Sequence, residues 1–181
     1  SKIETVGNPV RNAICGVAEP SVRYDVNDSS PLKLLVVGGS LGAQVLNETL
    51  PKALALLDRP FEVRHQCGRD NETATQAAYD SEALSAHQFT VQPFIDDMAA
   101  AYNWADIVVC RAGALTVTEI QNVGIAAIFV PLPSAVDDHQ TANARTLTEH
   151  QAGILLQHNE LTPNTLSNEL NLLDRRACLD M

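Results

Sequence analysis

Short apolar runs alternate six times with stretches of helical periodicity between residues 32 and 173. The first run, Leu32-Lys33-Leu34-Leu35-Val36-Val37, ends in Gly38-Gly39. Later runs are expected at 61–65, 88–92, 107–110, 127–130 and, more weakly, 154–157. Between and after them, residues 43–57, 71–84, 96–104, 115–123, 138–150 and 162–173 fit helices. In residues 43–57, for example, the apolar positions 46, 50, 53, 54 and 57 share one face at a period near 3.6. Gly124 is placed to stop one helix, Pro163 to open another, and Asp96 or Asp97 to cap a third. The strands are continuous apolar runs and not alternating ones, as expected of a parallel sheet covered on both faces. The expected fold is therefore α/β, a doubly wound parallel sheet in residues 31–181. Residues 1–30 lack periodicity and are expected to be a linker or lead-in segment of something larger.

Composition narrows the classes further. A chain of 181 residues, 45% hydrophobic, can build one real core, and with 4% aromatics that core must be aliphatic. The net charge of −10 argues against a nucleic-acid-binding face and against adhesion of this domain to an anionic membrane. The longest apolar stretch, 124–133, is about half of what a spanning helix needs. The first residues have no apolar run of a secretory signal. Cys15, Cys67, Cys110 and Cys178 are widely spaced, as free thiols of a reducing compartment would be, and the histidines show no zinc-like spacing.

In such sheets ligands bind beyond the carboxyl ends of the strands, where the strand order reverses. With the order 3-2-1-4-5-6 the reversal falls between the first and fourth strands. The loops that follow them, residues 38–43 and 111–116, are both built of small residues and both open a helix. Free N–H groups and the helix dipole there favour a phosphate-bearing ligand, although glycines also simply make tight turns. The first loop reads Gly-Gly-Ser-Leu-Gly, and no acidic residue ends the second strand, which lowers a dinucleotide reading. The phosphate loop of the nucleotide triphosphatases is absent from the sequence.

Several side chains flank these loops. Glu119, about one turn inside its helix, suits a ribose diol or merely the helix dipole. Arg111 follows the fourth strand and can face a phosphate or pair with a carboxylate. Gln140 and Asn143 share one helical face, where their amides can meet sugar hydroxyls or solvent. The acidic pairs 96/97 and 137/138 fit helix capping better than a glycosidase.

Five segments in order then carry a resemblance: 7–11 (GNPVR), 38–43 (GGSLGA), 94–98 (FIDDM), 110–119 (CRAGALTVTE) and 138–144 (DHQTANA). Together they resemble the MurG family. These are the UDP-N-acetylglucosamine:undecaprenyl-pyrophosphoryl-muramoyl-pentapeptide N-acetylglucosaminyltransferases of bacterial peptidoglycan synthesis. The resemblance covers about residues 7–173. It implies the Rossmann-like, donor-binding half of a glycosyltransferase-B fold, with the amino-terminal acceptor domain and a closing helix absent from this chain. By motif, the main chain of Ile95 would read uracil and Arg11 would reach the nucleotide. Ser40 would bind the pyrophosphate. Ala114, Leu115, Thr116, Val117 and Thr118 would present a helix N-terminus to the phosphates. Glu119 would hold the ribose, and Gln140 the N-acetylglucosamine hydroxyls. His139 stands where some members carry a second Gln.

The implied reaction is inverting transfer from UDP-N-acetylglucosamine to the C4 hydroxyl of a lipid-linked muramoyl sugar. The general base would lie in the missing domain, and neither cofactor nor metal is called for. The implied location is the cytoplasmic face of the bacterial inner membrane, with membrane contact made outside this domain. A UDP-sugar 2-epimerase on the same fold, or a non-catalytic nucleotide-sugar sensor, stands as the alternative.

Overall fold

A computed structural model describes residues 7–39, 43–133 and 138–181. Its centre is one six-stranded sheet in the order β3-β2-β1-β4-β5-β6, every pair parallel. The strands are β1 (Leu32–Val37), β2 (Phe61–Gln66), β3 (Gln88–Gln92), β4 (Ile107–Cys110), β5 (Ala126–Phe129) and β6 (Ile154–Leu155). The helices are α1 (Asn12–Cys15), α2 (Pro20–Arg23), α3 (Gln44–Leu54), α4 (Glu72–Asp80), α5 (Met98–Trp104), α6 (Ala114–Val123), α7 (His139–Thr148), α8 (Pro163–Leu172) and α9 (Arg175–Asp180).

The central strands β4 and β5 are apolar throughout because two separate cores cover them, whereas β2 and β3, toward one edge, alternate apolar with polar residues. Successive side chains of β4 point to opposite faces, so Ile107 and Val109 join one cluster while Val108 and Cys110 join the other. Leu46, Leu50, Tyr79, Leu166 and Leu170 bring α3, α4 and α8 onto the first face. Ile14, Tyr102, Val117, Ile120 and Ala144 bring α1, α5, α6 and α7 onto the second. Each aliphatic side chain so buried contributes about 1.5–3 kcal/mol relative to exposure.

Local chemistry sets the element ends. Asp97, not Asp96, caps α5 by accepting from the Ala100 N–H at 2.9 Å, so that helix starts at Met98. Ser81 Oγ donates to the Ala78 carbonyl at 2.8 Å and closes α4 at Asp80, short of the expected end. Thr162 and Thr165 form a reciprocal capping box at α8, with Pro163 in its first turn. Gly124 ends α6 in the left-handed region, φ 61°. Pro20, opening α2, packs against it so closely that a Cβ on residue 124 would lie 2.8 Å from the ring.

The lead-in segment is bound to the domain by side chains. Arg23 Nη2 donates to the carbonyls of Val123 (2.9 Å) and Gly124 (3.2 Å). The buried Tyr24 hydroxyl donates to the Asp106 carbonyl at 2.7 Å. Arg175, 8% exposed, donates to the carbonyls of Asp28 (2.7 Å), Ser30 (2.9 Å) and Pro31 (3.2 Å), and pairs with Asp106 at 3.3 Å. Asp106 also accepts from the Lys33 N–H at 2.9 Å. Burial nevertheless raises the Asp106 carboxyl above its ordinary range, against the downward pull of that N–H and of Arg175.

A second buried polar cluster joins α3, β2 and α4. Asn47 donates through Nδ2 to the Cys67 carbonyl at 3.0 Å, which leaves its Oδ1 facing His65 Nε2 at 3.0 Å. Nε2 must then carry the proton, and Nδ1 accepts from the Tyr79 hydroxyl at 2.9 Å. Burial holds this imidazole neutral and pushes its pKa down to about 3.

Candidate functional site

The strand order is the 3-2-1-4-5-6 order considered from the sequence, and it puts the reversal between β1 and β4. After β1, Gly38 donates its N–H to the Gln66 carbonyl at 3.2 Å, and Gln66 Nε2 donates to the Gly39 carbonyl at 3.2 Å. Gly39 takes φ 83°, a conformation that glycine adopts without strain. Ser40 lies outside the described residues.

After β4 comes the N-terminus of α6. Gly113 is its N-cap and carries no side chain to cap it. The N–H groups of Ala114, Leu115 and Thr116 therefore have no partner within the helix. Ala114 and Leu115 are exposed, which opens this positive helix end to an anion. Val117 and Thr118 differ from the other three. The Val117 N–H already bonds to the Gly113 carbonyl at 2.9 Å, and its side chain is buried in the core. Thr118 Oγ1 donates to the Ala114 carbonyl at 2.8 Å and accepts from Asn8 Nδ2 at 3.0 Å. The donors of this helix end narrow to residues 114–116.

One and a half turns further, Glu119 sits in a partly exposed position, its side chain 15% accessible. Oε1 accepts from Arg11 Nε at 3.3 Å and Nη2 at 3.0 Å, while Oε2 accepts from the Tyr102 hydroxyl at 3.2 Å. The two sequence-singled residues Arg11 and Glu119 thus meet each other across 108 positions. Arg11 is the exposed partner, at 58%. Tyr102, buried on α5, was not singled out by the sequence; its hydroxyl is pushed well above its ordinary pKa by burial, then by Cys110 and Glu119.

Ile95 lies in the turn between β3 and α5, the residue as a whole 8% exposed and packed with Tyr102 in the second core. Gln140 lies on α7, where the sequence put it, but its amide oxygen meets backbone. Oε1 accepts from the N–H groups of Ala112 (3.2 Å) and Leu132 (2.9 Å), and Asn143 Nδ2 donates to the Ala112 carbonyl at 3.1 Å. The Ala112 peptide is therefore gripped on both sides from α7, which holds the start of α6 in place. Arg111 donates to the carbonyls of Val130 (3.2 Å) and Pro131 (3.0 Å), and among the described residues no carboxylate pairs with it. Partial burial lowers its pKa.

The site combines the N–H groups of residues 114–116, without a partner among the described residues, at a positive helix end with a carboxylate acceptor on the same helix. Such a set suits a ligand with an anionic group and a vicinal diol. Among the described residues no three His, Cys, Asp or Glu side chains are grouped to hold a metal ion. No helix among them is long and apolar enough to cross a membrane.

Residues 33–178 match the family model described as the glycosyltransferase family 28 C-terminal domain. A relative from Psychrobacter arcticus is 84% identical over 181 residues, 100% of this chain and 50% of the relative. It is named UDP-N-acetylglucosamine--N-acetylmuramyl-(pentapeptide) pyrophosphoryl-undecaprenol N-acetylglucosamine transferase. A relative of the same name from Acinetobacter baumannii is 49% identical over 98% of this chain and 49% of its own length. The crystal structure of Acinetobacter baumannii MurG superposes with a TM-score of 0.86 at 45% identity, over 92% of this chain and 48% of that one. The chain spans about half the length of the curated relatives it matches.

Proposed function

The chain belongs to the glycosyltransferase family 28 C-terminal domains, and from that premise we propose that it is the donor-binding half of an inverting N-acetylglucosaminyltransferase. The donor is UDP-N-acetylglucosamine. The acceptor is a lipid-linked N-acetylmuramyl pentapeptide carried by undecaprenyl pyrophosphate, as in the names of the relatives. Residues 31–181 form the donor domain, and residues 1–30 lead into it from the acceptor half. The full protein works at the cytoplasmic face of the bacterial inner membrane, held there by surfaces outside this domain. The domain itself engages no nucleic acid.

The observation that carries this reading is α6. A single helix offers an open N-terminus at Ala114, Leu115 and Thr116 and, on the same element, the Glu119 carboxylate. That spacing suits a pyrophosphate and its ribose together. A hydroxyl and an N–H of Ser40 serve the same pyrophosphate, and Arg11 approaches it from the lead-in segment. The Ile95 main chain reads uracil. Gln140, whose oxygen is engaged by backbone, presents its Nε2 donors to a sugar hydroxyl oxygen.

During transfer the acceptor C4 hydroxyl attacks the anomeric carbon, the bond to the UDP oxygen breaks, and negative charge grows on the leaving pyrophosphate. Fixed N–H donors and a helix dipole aimed at that charge stabilise the transition state more than the ground state. The base that takes the acceptor proton belongs to the other half of the protein.

Calorimetric titration of this chain tests the reading. UDP-N-acetylglucosamine should bind more tightly than UDP-glucose or UDP-N-acetylgalactosamine. UDP should exceed CDP by about 5–150-fold, because cytosine leaves a main-chain group unpaired. Adding the lipid-linked acceptor should give no disaccharide. Equal affinity for UDP and CDP would overturn the donor assignment, and robust turnover would overturn the division of roles between the halves.

A further inference from the structure

Three buried tyrosines hold the domain together, and their hydroxyls are used differently. Tyr24 reaches a main-chain carbonyl and Tyr79 a buried imidazole. Tyr102, 1% exposed, instead sends its hydroxyl from the core to the carboxylate that edges the crevice. It approaches Glu119 from the buried side and takes Oε2, while the exposed Arg11 takes Oε1 from the solvent side.

We infer that Tyr102 is a positioning residue for ribose recognition: it anchors Oε2 of Glu119, so that Oε1 alone exchanges partners when a ribose diol enters and Arg11 withdraws. The inference rests on the reading of Glu119 as the ribose acceptor and deepens it. A glutamate gripped only by an exposed arginine would follow that flexible side chain. Pinned also by a buried phenol, the carboxylate keeps one orientation whether Arg11 is present or displaced, and the entropy of ordering it is already lost before the ligand arrives.

The location of Tyr102 adds a coupling. It lies on α5, the short helix that directly follows the turn containing Ile95, and Asp97 fixes the start of that helix. Arg23 Nη1 donates to the Tyr102 carbonyl at 3.5 Å, which steadies α5 from the lead-in segment. The main chain offered to a base and the carboxylate offered to a ribose are therefore held in register by one side chain. A nucleoside presents base and ribose at a fixed separation, so this register favours the intact nucleoside over either part.

The test compares UDP with 2′,3′-dideoxy-UDP, titrated into the chain itself and into its Tyr102→Phe and Glu119→Ala variants. Tyr102→Phe keeps the ring and its packing and removes only the hydroxyl; cooperative unfolding checks that the fold is kept. Its UDP dissociation constant should rise about 3–10-fold, in line with the loss of one hydrogen bond. Its affinity for the dideoxy ligand should stay unchanged, so that preference for the diol shrinks. Equal weakening of both ligands would mean a merely structural tyrosine, and no change in either would mean an idle hydroxyl; each overturns the inference. If Tyr102→Phe leaves diol preference intact while Glu119→Ala abolishes it, the positioning role fails and the ribose reading stands. If Glu119→Ala keeps full diol preference, the ribose reading fails and takes the positioning role with it.

Discussion

The two ends of the strands are finished in opposite ways. At the amino ends, polar groups are matched inside the protein: Arg175 bonds three carbonyls and the Asp106 carboxylate, and Tyr24 closes on the Asp106 main chain. At the carboxyl ends between β1 and β4, the first turn of α6 carries no side-chain cap, and Glu119 has an exposed arginine as one partner. Both ends use arginines against carboxylates, yet one arginine is 8% exposed and the other's side chain 58%. Burial decides what such a pair does. A buried pair cannot be opened without stranding a charge, whereas an exposed one exchanges partners at little cost. One end is built to stay closed and the other to be entered.

The sharpest way to break that contrast is Arg175→Met. Removing the guanidinium strands the Asp106 carboxylate, so unfolding free energy should fall by about 3–5 kcal/mol while UDP binding by the folded fraction is unaffected. Urea denaturation with and without UDP measures both. A loss below about 1 kcal/mol would put the amino end in the same class as a surface pair.

A smaller effect, about 2 kcal/mol between pH 7 and pH 5, should come from His65. Its pKa is pushed down to about 3 by burial, so the native state keeps it neutral while the unfolded chain takes up a proton below its ordinary value of 6.5. The unfolded state thus binds more protons, and the contribution of His65 is lost as pH falls from about 6.5 toward 3. Asp106, with its raised pKa, works in the opposite sense at lower pH. Comparison with His65→Gln isolates the imidazole: the variant should lose this part of the pH slope. An unchanged slope would refute the neutral buried histidine.

The least costly change should be Arg11→Ala. A pair with one partner 58% exposed is worth less than about 1 kcal/mol, so the melting temperature should barely move. A loss as large as that of Arg175→Met would erase the distinction between the two ends.

Much of this was legible in the sequence. β1, β3 and β4 occupy the expected residues; the apolar runs of β1 and β4 leave little choice of boundary, and Pro93 stops β3. The sheet has the 3-2-1-4-5-6 order on which the switch point was placed, an order that the alternation allows but does not by itself fix. The helices α1 and α2, of four residues each, are too short to show a period. β6 shrank to two residues at the edge of the sheet. The contacts that finish the two ends were invisible for a different reason. Arg175 and Asp28 are 147 positions apart, and the main-chain groups that meet Gln140 carry no residue signature. The sequence put Gln140 and Asn143 on one helical face, but which atoms that face would meet depended on the packed fold. Tyr102 falls within the expected helix 96–104 with nothing in the sequence to mark it, since a hydroxyl's partner depends on what the sheet brings beside it.

The contact between Pro20 and Gly124 bears on how this sequence can vary. At many helix ends asparagine substitutes for a left-handed glycine with modest strain. Here that exchange is closed off, because the added Cβ would sit 2.8 Å from a proline ring that has no rotamer to retreat into. Position 124 therefore admits a side chain only after position 20 has given up its ring. Drift at two sites more than a hundred residues apart must proceed in that order, the lead-in helix changing first and the end of α6 second.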